Sequence, residues 1–392
     1  MKTIYQEIQK YIDGQKQEML TLWETLVNTE SGTKRIEGVN QIASILQHEM
    51  KKVGMDTRQI PVQNAGNLLT ATYNPNSSNR PLLFIGHMDT VFPDGTVEKN
   101  PFRIDQEGKA YGPGVLDMKG GLVIALYAVK ALKAVGWIKR PIKIVFASDE
   151  ENLHMNSDAK AIIAKECQGA VAAFNFETGY LDDRMVVGRN GGGPVKITIH
   201  GRASHSGIAP EKGRSAILEA ASKILKIENQ NDIPRGRLIN CGVISGGIGE
   251  NTIPDSCTIR IGIRFPNTEI RDEIYHILQE AVTKQYVPDV TSELDLSRVM
   301  ECMDTTKGVS KLFQYIKKTA IESGYGNIES FRVGGLSDSG ITVAHGIPTV
   351  CGMGVKGTGN HTASEYAEVE SLFKRCVLAA SATYGFEDQY VD

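Results

Sequence analysis

Acids and histidines recur where apolar runs stop. PLLFIG (81–86) runs into His87 and Asp89 within GHMDT, and IKIVFA (142–147) runs into Asp149, Glu150 and Glu151. AVAAFNF (170–176) runs into Glu177, IPTVCGM (347–353) leads through a glycine-rich loop to His361, and Asp117 sits in YGPGVLDMKGG just before a helical pattern. Adjacent carboxylates repel, so Asp149–Glu151 need a positive partner. Two imidazoles with three carboxylates and no thiolate suit zinc or a similar divalent ion. Five ligand side chains exceed the three that one catalytic zinc normally takes. Two metals sharing a bridging carboxylate would account for them, about 3.5–4 Å apart with an activated water between them.

The elements that must position these residues are legible as runs. Ile4, Ile8, Tyr11 and Ile12, then Leu20, Leu22 and Leu26, give a first helix; a second covers 35–53 and stops at Gly54. The runs 81–86, 142–147, 170–176 and 347–353 read as buried strands, 121–135 as a helix stopped by Gly136, and a final helix begins near Val369. Strands alternating with helices predict an α/β domain with a mostly parallel sheet flanked by helices. In such sheets, sites form beyond the carboxyl ends of the strands, so these residues converge.

The middle of the chain differs. VKITI (195–199) and CTIRIGIRF (257–265) alternate strictly, with helices at 215–227 and 268–284 and further strands at 238–244 and 291–298. The order β-α-β-β-α-β is that of a ferredoxin-like α+β sandwich. The expected organisation is therefore a catalytic metal-binding domain, 1–189 and 304–392, with an inserted domain at 190–303. Gly191–Gly193 reads as a hinge at that boundary, since no strand–GxGxxG–helix context makes it a phosphate cradle.

Composition excludes several classes. A net charge of −3 leaves no basic footprint for nucleic acid, and no apolar run approaches the ~20 residues that span a membrane. The start lacks a signal-peptide core, and the six cysteines form no CxxC pair. A reduced, cytoplasmic protein is expected.

GHMDTV, GPGVLDMKGG, DEE after a strand, a lone Glu after the next strand, GRASHSG and NHTASEY occur in this order between residues 86 and 366. In this they resemble the family of co-catalytic zinc exopeptidases and deacylases, which includes glutamate carboxypeptidase, succinyl-diaminopimelate desuccinylase, aminoacylase and tripeptidase relatives. Each motif alone is weak; six in order are specific. The resemblance implies that His87 and Glu177 hold one metal, Glu151 and His361 the other, and Asp117 both. It implies zinc, with cobalt or manganese as alternatives. Asp89 would orient His87, Glu150 would be the general base, and the Asp117–Met118 peptide would be cis. His205 would stabilise the oxyanion in a partner subunit's site, and Asn251 would contact substrate. The inserted domain would then be a lid and the surface of a homodimer.

Glutamate at 177, where several di- and tripeptidases of the family carry aspartate, tilts the implied substrate toward a peptide or N-acyl amino acid with a free C-terminal carboxylate. Arg298 is the candidate to grip that carboxylate, while Arg264 is as consistent with a structural role as with this one. Ureido or other non-peptide amides are the alternative substrates, and a non-catalytic metal-binding scaffold the alternative of another class. The chain departs from the family after DEE. Where a glycine-serine turn is usual it reads NLHMNSD, with Leu153 and Asn156 in place of glycines and His154 in place of a serine. His154 reads as a solvated loop residue, with a pocket role as the alternative. His48, His276 and His345 read as structural.

Overall fold

A computed structural model describes residues 2–391. The chain divides into two compact units. The larger comprises Met1–Gly188, Thr305–Val333 and Ser337–Asp392, and the smaller Arg189–Asp304 with Gly334–Leu336. The short return segment belongs to the smaller unit because Arg189 Nη1 donates to the carbonyls of Gly335 (3.4 Å) and Leu336 (3.2 Å).

The larger unit is built on an eight-stranded sheet. Its strands lie in the order Asp56–Ile60, Leu68–Tyr73, Ile142–Ala147, Leu82–His87, Ala172–Asn175, Thr349–Cys351, Met185–Arg189 and Ser330–Val333. The sheet is mixed, not mostly parallel. The four strands from 142–147 to 349–351 pair in parallel. The pairs 56–60/68–73, 68–73/142–147 and 349–351/185–189 are antiparallel. The first of these joins segments linked by a connection too short for a crossover, so a hairpin is the available geometry. The parallel strands are apolar and buried, as strands covered on both faces must be. Helices Lys2–Val27, Gly120–Ala134 and Val369–Tyr384 pack against one another. Gly120–Ala134 is apolar nearly all round and almost wholly buried. A second sheet of five short strands runs in the order Arg103–Ile104, Lys109–Tyr111, Tyr366–Glu368, Lys356–Thr358 and Gly179–Tyr180.

The smaller unit has a four-stranded antiparallel sheet in the order Leu238–Gly246, Ser256–Phe265, Gly191–His200, Thr291–Asp295, with helices Ala216–Glu228 and Thr268–Thr283. That is the ferredoxin-like arrangement. Alternation places Val195, Ile197 and Ile199 with Ile259, Ile261 and Ile263 in one core. Both helices start on side-chain caps: Ser215 accepts from the Leu218 N–H and Asn267 from the Ile270 N–H. Gly191–Gly193 is not a hinge but the first part of a strand, paired with Phe265, Arg264 and Ile263. Gly192 and Gly193 have φ of 150° and 153°, and a Cβ on Gly192 would lie 2.3 Å from the Ile263 oxygen, so glycine is a packing requirement here.

One buried ion pair organises the unit's helical layer. Lys223 Nζ lies 2.8 Å from Glu219 Oε1 and donates to the carbonyls of Ala281 (2.6 Å) and Lys284 (2.7 Å). Glu219 Oε2 accepts the N–H groups of Tyr286 and Val287. Lys223→Met removes these bonds and strands a buried carboxylate. The expected loss is about 3–5 kcal/mol of stability, read from denaturant unfolding of the purified variant.

Candidate metal centre

Three adjacent parallel strands end on one side of the large sheet and deliver side chains there. Leu82–His87 ends on His87, Ile142–Ala147 leads into the turn Glu150–Asn152, and Ala172–Asn175 leads to Glu177. Asp117 lies in the helical turn Val115–Lys119, with a cis peptide to Met118. That turn continues into Gly120–Ala134, whose Gly121 touches the strand end: a Cβ there would lie 1.9 Å from the Phe176 oxygen. His361 sits in the loop between Lys356–Thr358 and Tyr366–Glu368.

The geometry centres on Asp117. Its Oδ1 is 3.2 Å from His87 Nε2, and its Oδ2 is 3.4 Å from His361 Nε2. Glu177 Oε1 lies 3.8 Å from His87 Nε2, and Glu151 Oε2 lies 3.2 Å from His361 Nε2. Two groups of three result, His87–Asp117–Glu177 and Asp117–Glu151–His361, and within each the candidate ligand atoms lie within 4.8 Å of one another. Five of the expected site residues are thus brought together, and they could hold two ions. The fit is chemical as well as spatial. Nitrogen and oxygen donors without a thiolate suit a divalent ion of zinc type. Glu151 Oε1 is buried and makes no hydrogen bond among the described residues, as a carboxylate oxygen kept for a cation would.

Electrostatics carry the same imbalance. Burial pushes Glu150 well above the usual carboxylate range, with further upward pressure from Glu177, Asp338 and Glu151. Burial also raises Glu151. For Asp117 burial acts upward, but His361 and His87 outweigh it and hold the group low. Contacts with Asp117 and Glu151 push His361 up to about 10.

The backbone of each acidic residue is fixed by a side chain, distant in sequence for Asp117, Glu150 and Glu151 and local for Glu177. Asp89 accepts the N–H of Glu150 on Oδ1 (3.1 Å) and that of Glu151 on Oδ2 (3.2 Å), and Thr33 Oγ1 donates to Oδ2 (2.6 Å). The shortest contact of Asp89 with His87 is through its carbonyl, 3.0 Å from Nδ1, while Oδ1 is at 3.4 Å. A carbonyl only accepts, so Nδ1 carries the proton and Nε2 is the nitrogen aimed at Asp117. The Glu177 N–H donates to Asn175 Oδ1 (3.2 Å). Glu365 accepts the N–H groups of Leu116 (2.7 Å), Asp117 (3.0 Å) and Gly114 (3.4 Å), and Asn360 Nδ2 donates to Asp117 Oδ2 (3.0 Å). Glu365 and Asn360 were missed as site residues, although both lie in the stretch GNHTASEY that carries His361.

His154 is not a solvated loop residue. It is 5% exposed, and its two ring nitrogens lie 2.7 Å from Asp149 Oδ1 and 2.7 Å from Asp338 Oδ1. Burial alone would lower its pKa, but the two carboxylates outweigh it and hold the ring protonated, well above the usual histidine range. Leu153 and His154 take φ of 54° and 53°, a conformation that costs a non-glycine residue about 1–3 kcal/mol each.

Other candidates lie in the smaller unit. His205 pairs with Thr252 in a two-stranded ribbon, and the Ser206 N–H donates to the Asn251 carbonyl (2.9 Å), so His205 and Asn251 are neighbours on an exposed ribbon end. Arg298 is exposed in the loop after Thr291–Asp295, and Arg264 is exposed on the strand Ser256–Phe265. His48 and His276 sit on exposed helix faces, and His345 caps the helix Ser339–Ala344.

The sequence profile of Peptidase family M20/M25/M40 matches residues 83–383. The chain belongs to this family. An M20 chain of this kind is a hydrolase, of the metallopeptidase and amidohydrolase type. It is 30% identical to carboxypeptidase G2 of Pseudomonas sp. (strain RS-16), over 91% of this chain and 86% of that protein. It is 24% identical to succinyl-diaminopimelate desuccinylase of Maricaulis maris (strain MCS10), over 84% of this chain and 86% of that one. In fold it is similar to aminopeptidase PepT from Bacillus cereus ATCC 10987, with a TM-score of 0.69 at 23% identity, covering 94% of this chain and 97% of that chain.

In this M20 chain Glu365 holds the Asp117 turn by its backbone alone. Glu365→Ala is expected to weaken divalent-metal binding by about 10–100-fold, measured by competition with a chromogenic chelator.

Proposed function

We propose that the protein uses two divalent ions to hydrolyse an amide bond in a peptide or N-acyl amino acid bearing a free C-terminal carboxylate. The observation that carries this reading is Asp117, with one carboxylate oxygen toward His87 and the other toward His361. His87 and Glu177 would hold one ion, Glu151 and His361 the other, and Asp117 both. Zinc suits the donors, with cobalt or manganese as alternatives. When bound, the ions supply Lewis acidity toward the scissile carbonyl and a water that loses its proton near neutral pH.

Glu150 acts as the base. It takes the proton of the attacking water and returns it to the leaving amine. The Asp89 carboxylate fixes the Glu150 backbone from below. A cavity of about 490 Å³ lined by Thr33, Lys34, Val91, Phe92, Glu151 and Asn152 adjoins this turn and offers room for the acyl or side-chain part of a substrate. His205 is assigned to the oxyanion, Asn251 to substrate contact, and Arg298 to the substrate carboxylate. The likeness to carboxypeptidase G2 and to the desuccinylase supports the carboxypeptidase or deacylase direction.

Glu150→Gln is expected to lower kcat on N-acyl amino acids by about 10²–10⁴-fold. Elemental analysis should show the same metal content in wild type and variant. A loss below about threefold rules out Glu150 as the base. Chelation should abolish turnover, and added zinc should restore it.

The smaller unit is proposed as a lid and dimerisation domain. Its strand Leu238–Gly246 is an open edge with Val243 and Ile244 exposed, and the neighbouring helix Ala216–Glu228 exposes Leu218 and Leu225. Such an edge is a template for pairing with a second copy. Ile244→Lys should shift the protein from dimer to monomer in sedimentation velocity. All six cysteines are free, which supports a reducing, cytoplasmic setting, and no helix among the described residues is long and apolar enough to cross a membrane.

A further inference from the structure

One buried cluster of titratable groups has no part in the hydrolytic scheme. Asp149, His154 and Asp338 are 2%, 5% and 4% exposed, and the imidazole bridges the two carboxylates at 2.7 Å on each side. A ring between two carboxylates satisfies both when each nitrogen donates. The cluster is tied to the reacting groups at both ends. Asp149 precedes Glu150 and Glu151, and its carbonyl accepts the His154 N–H (3.2 Å), while the Leu153 N–H donates to the Glu150 carbonyl (2.6 Å). Asp338 precedes Ser339, whose Oγ accepts from Asn175 Nδ2 (2.8 Å), and Asn175 Oδ1 in turn accepts the Glu177 N–H. A continuous chain of contacts therefore runs from the Glu150 turn through His154 to the strand end that presents Glu177. The turn itself is one the local sequence does not favour, since Leu153 and His154 adopt left-handed φ without glycine.

We propose that His154 is a positioning residue: its ring, bonded to Asp149 and Asp338, locks the 149–154 turn and so fixes Glu150 and Glu151 against the segment that holds Glu177. This rests on the reading of Glu150 as the base. With the ring's hold removed, Leu153 and residue 154 relax toward right-handed φ and the turn carrying both glutamates moves.

The test uses the full-length, metal-loaded enzyme. His154→Asn keeps a residue that tolerates left-handed φ but cannot span both carboxylates. The expected result is a kcat about 10–100-fold lower with KM within about threefold, at a temperature where circular dichroism shows wild type and variant equally folded. Asp338→Ala cuts the same tie from the other side. It should lower kcat to a similar extent, and the double variant should be no more than about twofold worse than either single one. Amide exchange in the segment 149–156 should be at least about tenfold faster in either single variant. A kcat within about twofold of wild type, a loss confined to KM, multiplicative losses in the double variant, or unchanged exchange would each overturn the proposal. If His154→Asn does not fold, Asp338→Ala carries the kinetic and exchange arms alone. If wild type hydrolyses no amide, the functional reading fails while exchange still decides the positioning role.

Discussion

Concentrated negative charge is the constraint on which the larger unit's chemistry depends. Asp117, Glu150 and Glu177 are each at most 9% exposed, the Glu151 side chain lies beside them, and the imidazoles of His87 and His361 reach into the cluster. Burial drives Glu150 and Glu151 upward while the histidines hold Asp117 down, so neighbouring carboxylates are pushed in opposite directions. A cluster that served only the fold would recruit a lysine or arginine. Lys119 is close in sequence, yet it donates to the Thr29 carbonyl, and burial lowers its pKa to about 7. The proposed pair of divalent ions would supply positive charge to this cluster.

The Asp117 side chain is held at its carboxylate by the Asn360 amide. The protein also tethers the backbone. Glu365 takes the N–H of Asp117, Asp89 those of Glu150 and Glu151, and Asn175 that of Glu177. Glu365 and Asp89 come from other segments and Asn175 from two residues upstream, and each bonds the backbone of the acidic residue. His154 extends the pattern to the far side of the Glu150 turn. It also accounts for the missing glycines after Asp149-Glu150-Glu151: a turn that glycine would adopt freely is here enforced on Leu153 and His154 by a buried ring with two ionic partners.

Much of this was legible in the sequence because the signals were local. The strand Ile142–Ala147 and the start of the last helix at Val369 fall where the apolar runs place them, and the central α/β pattern emerged from strand–helix alternation. The antiparallel flanks were not legible. DTRQI at 56–60 is polar and half exposed, so it lacks the apolar signature of a buried strand. The helix Lys307–Glu322 was overlooked although Val309, Leu312, Phe313 and Ile316 recur at helical spacing behind a Thr306 cap. His154 was misread for a different reason. Its burial depends on Asp338, 184 positions away, and no local pattern announces such a contact.

The two sheets of the larger unit explain why the centre needs nearly the whole chain. The parallel strands supply His87, the Glu150–Glu151 turn and Glu177 from their carboxyl ends. The five-stranded sheet gathers the rest. Lys109–Tyr111 leads into the Asp117 turn, Gly179–Tyr180 follows Glu177, and Lys356–Thr358 and Tyr366–Glu368 flank the loop of His361. Pairing among these four short strands links the segments that carry Asp117, Glu177 and His361. Each is only two or three residues long, too short to hold its register alone. Side-chain bonds add to the pairing: Glu365 on the Asp117 turn, and Asn360 bridging Asp117 to Thr178, tie the same segments together. The side chains that hold Asp117 thus also join the segments that the short strands align.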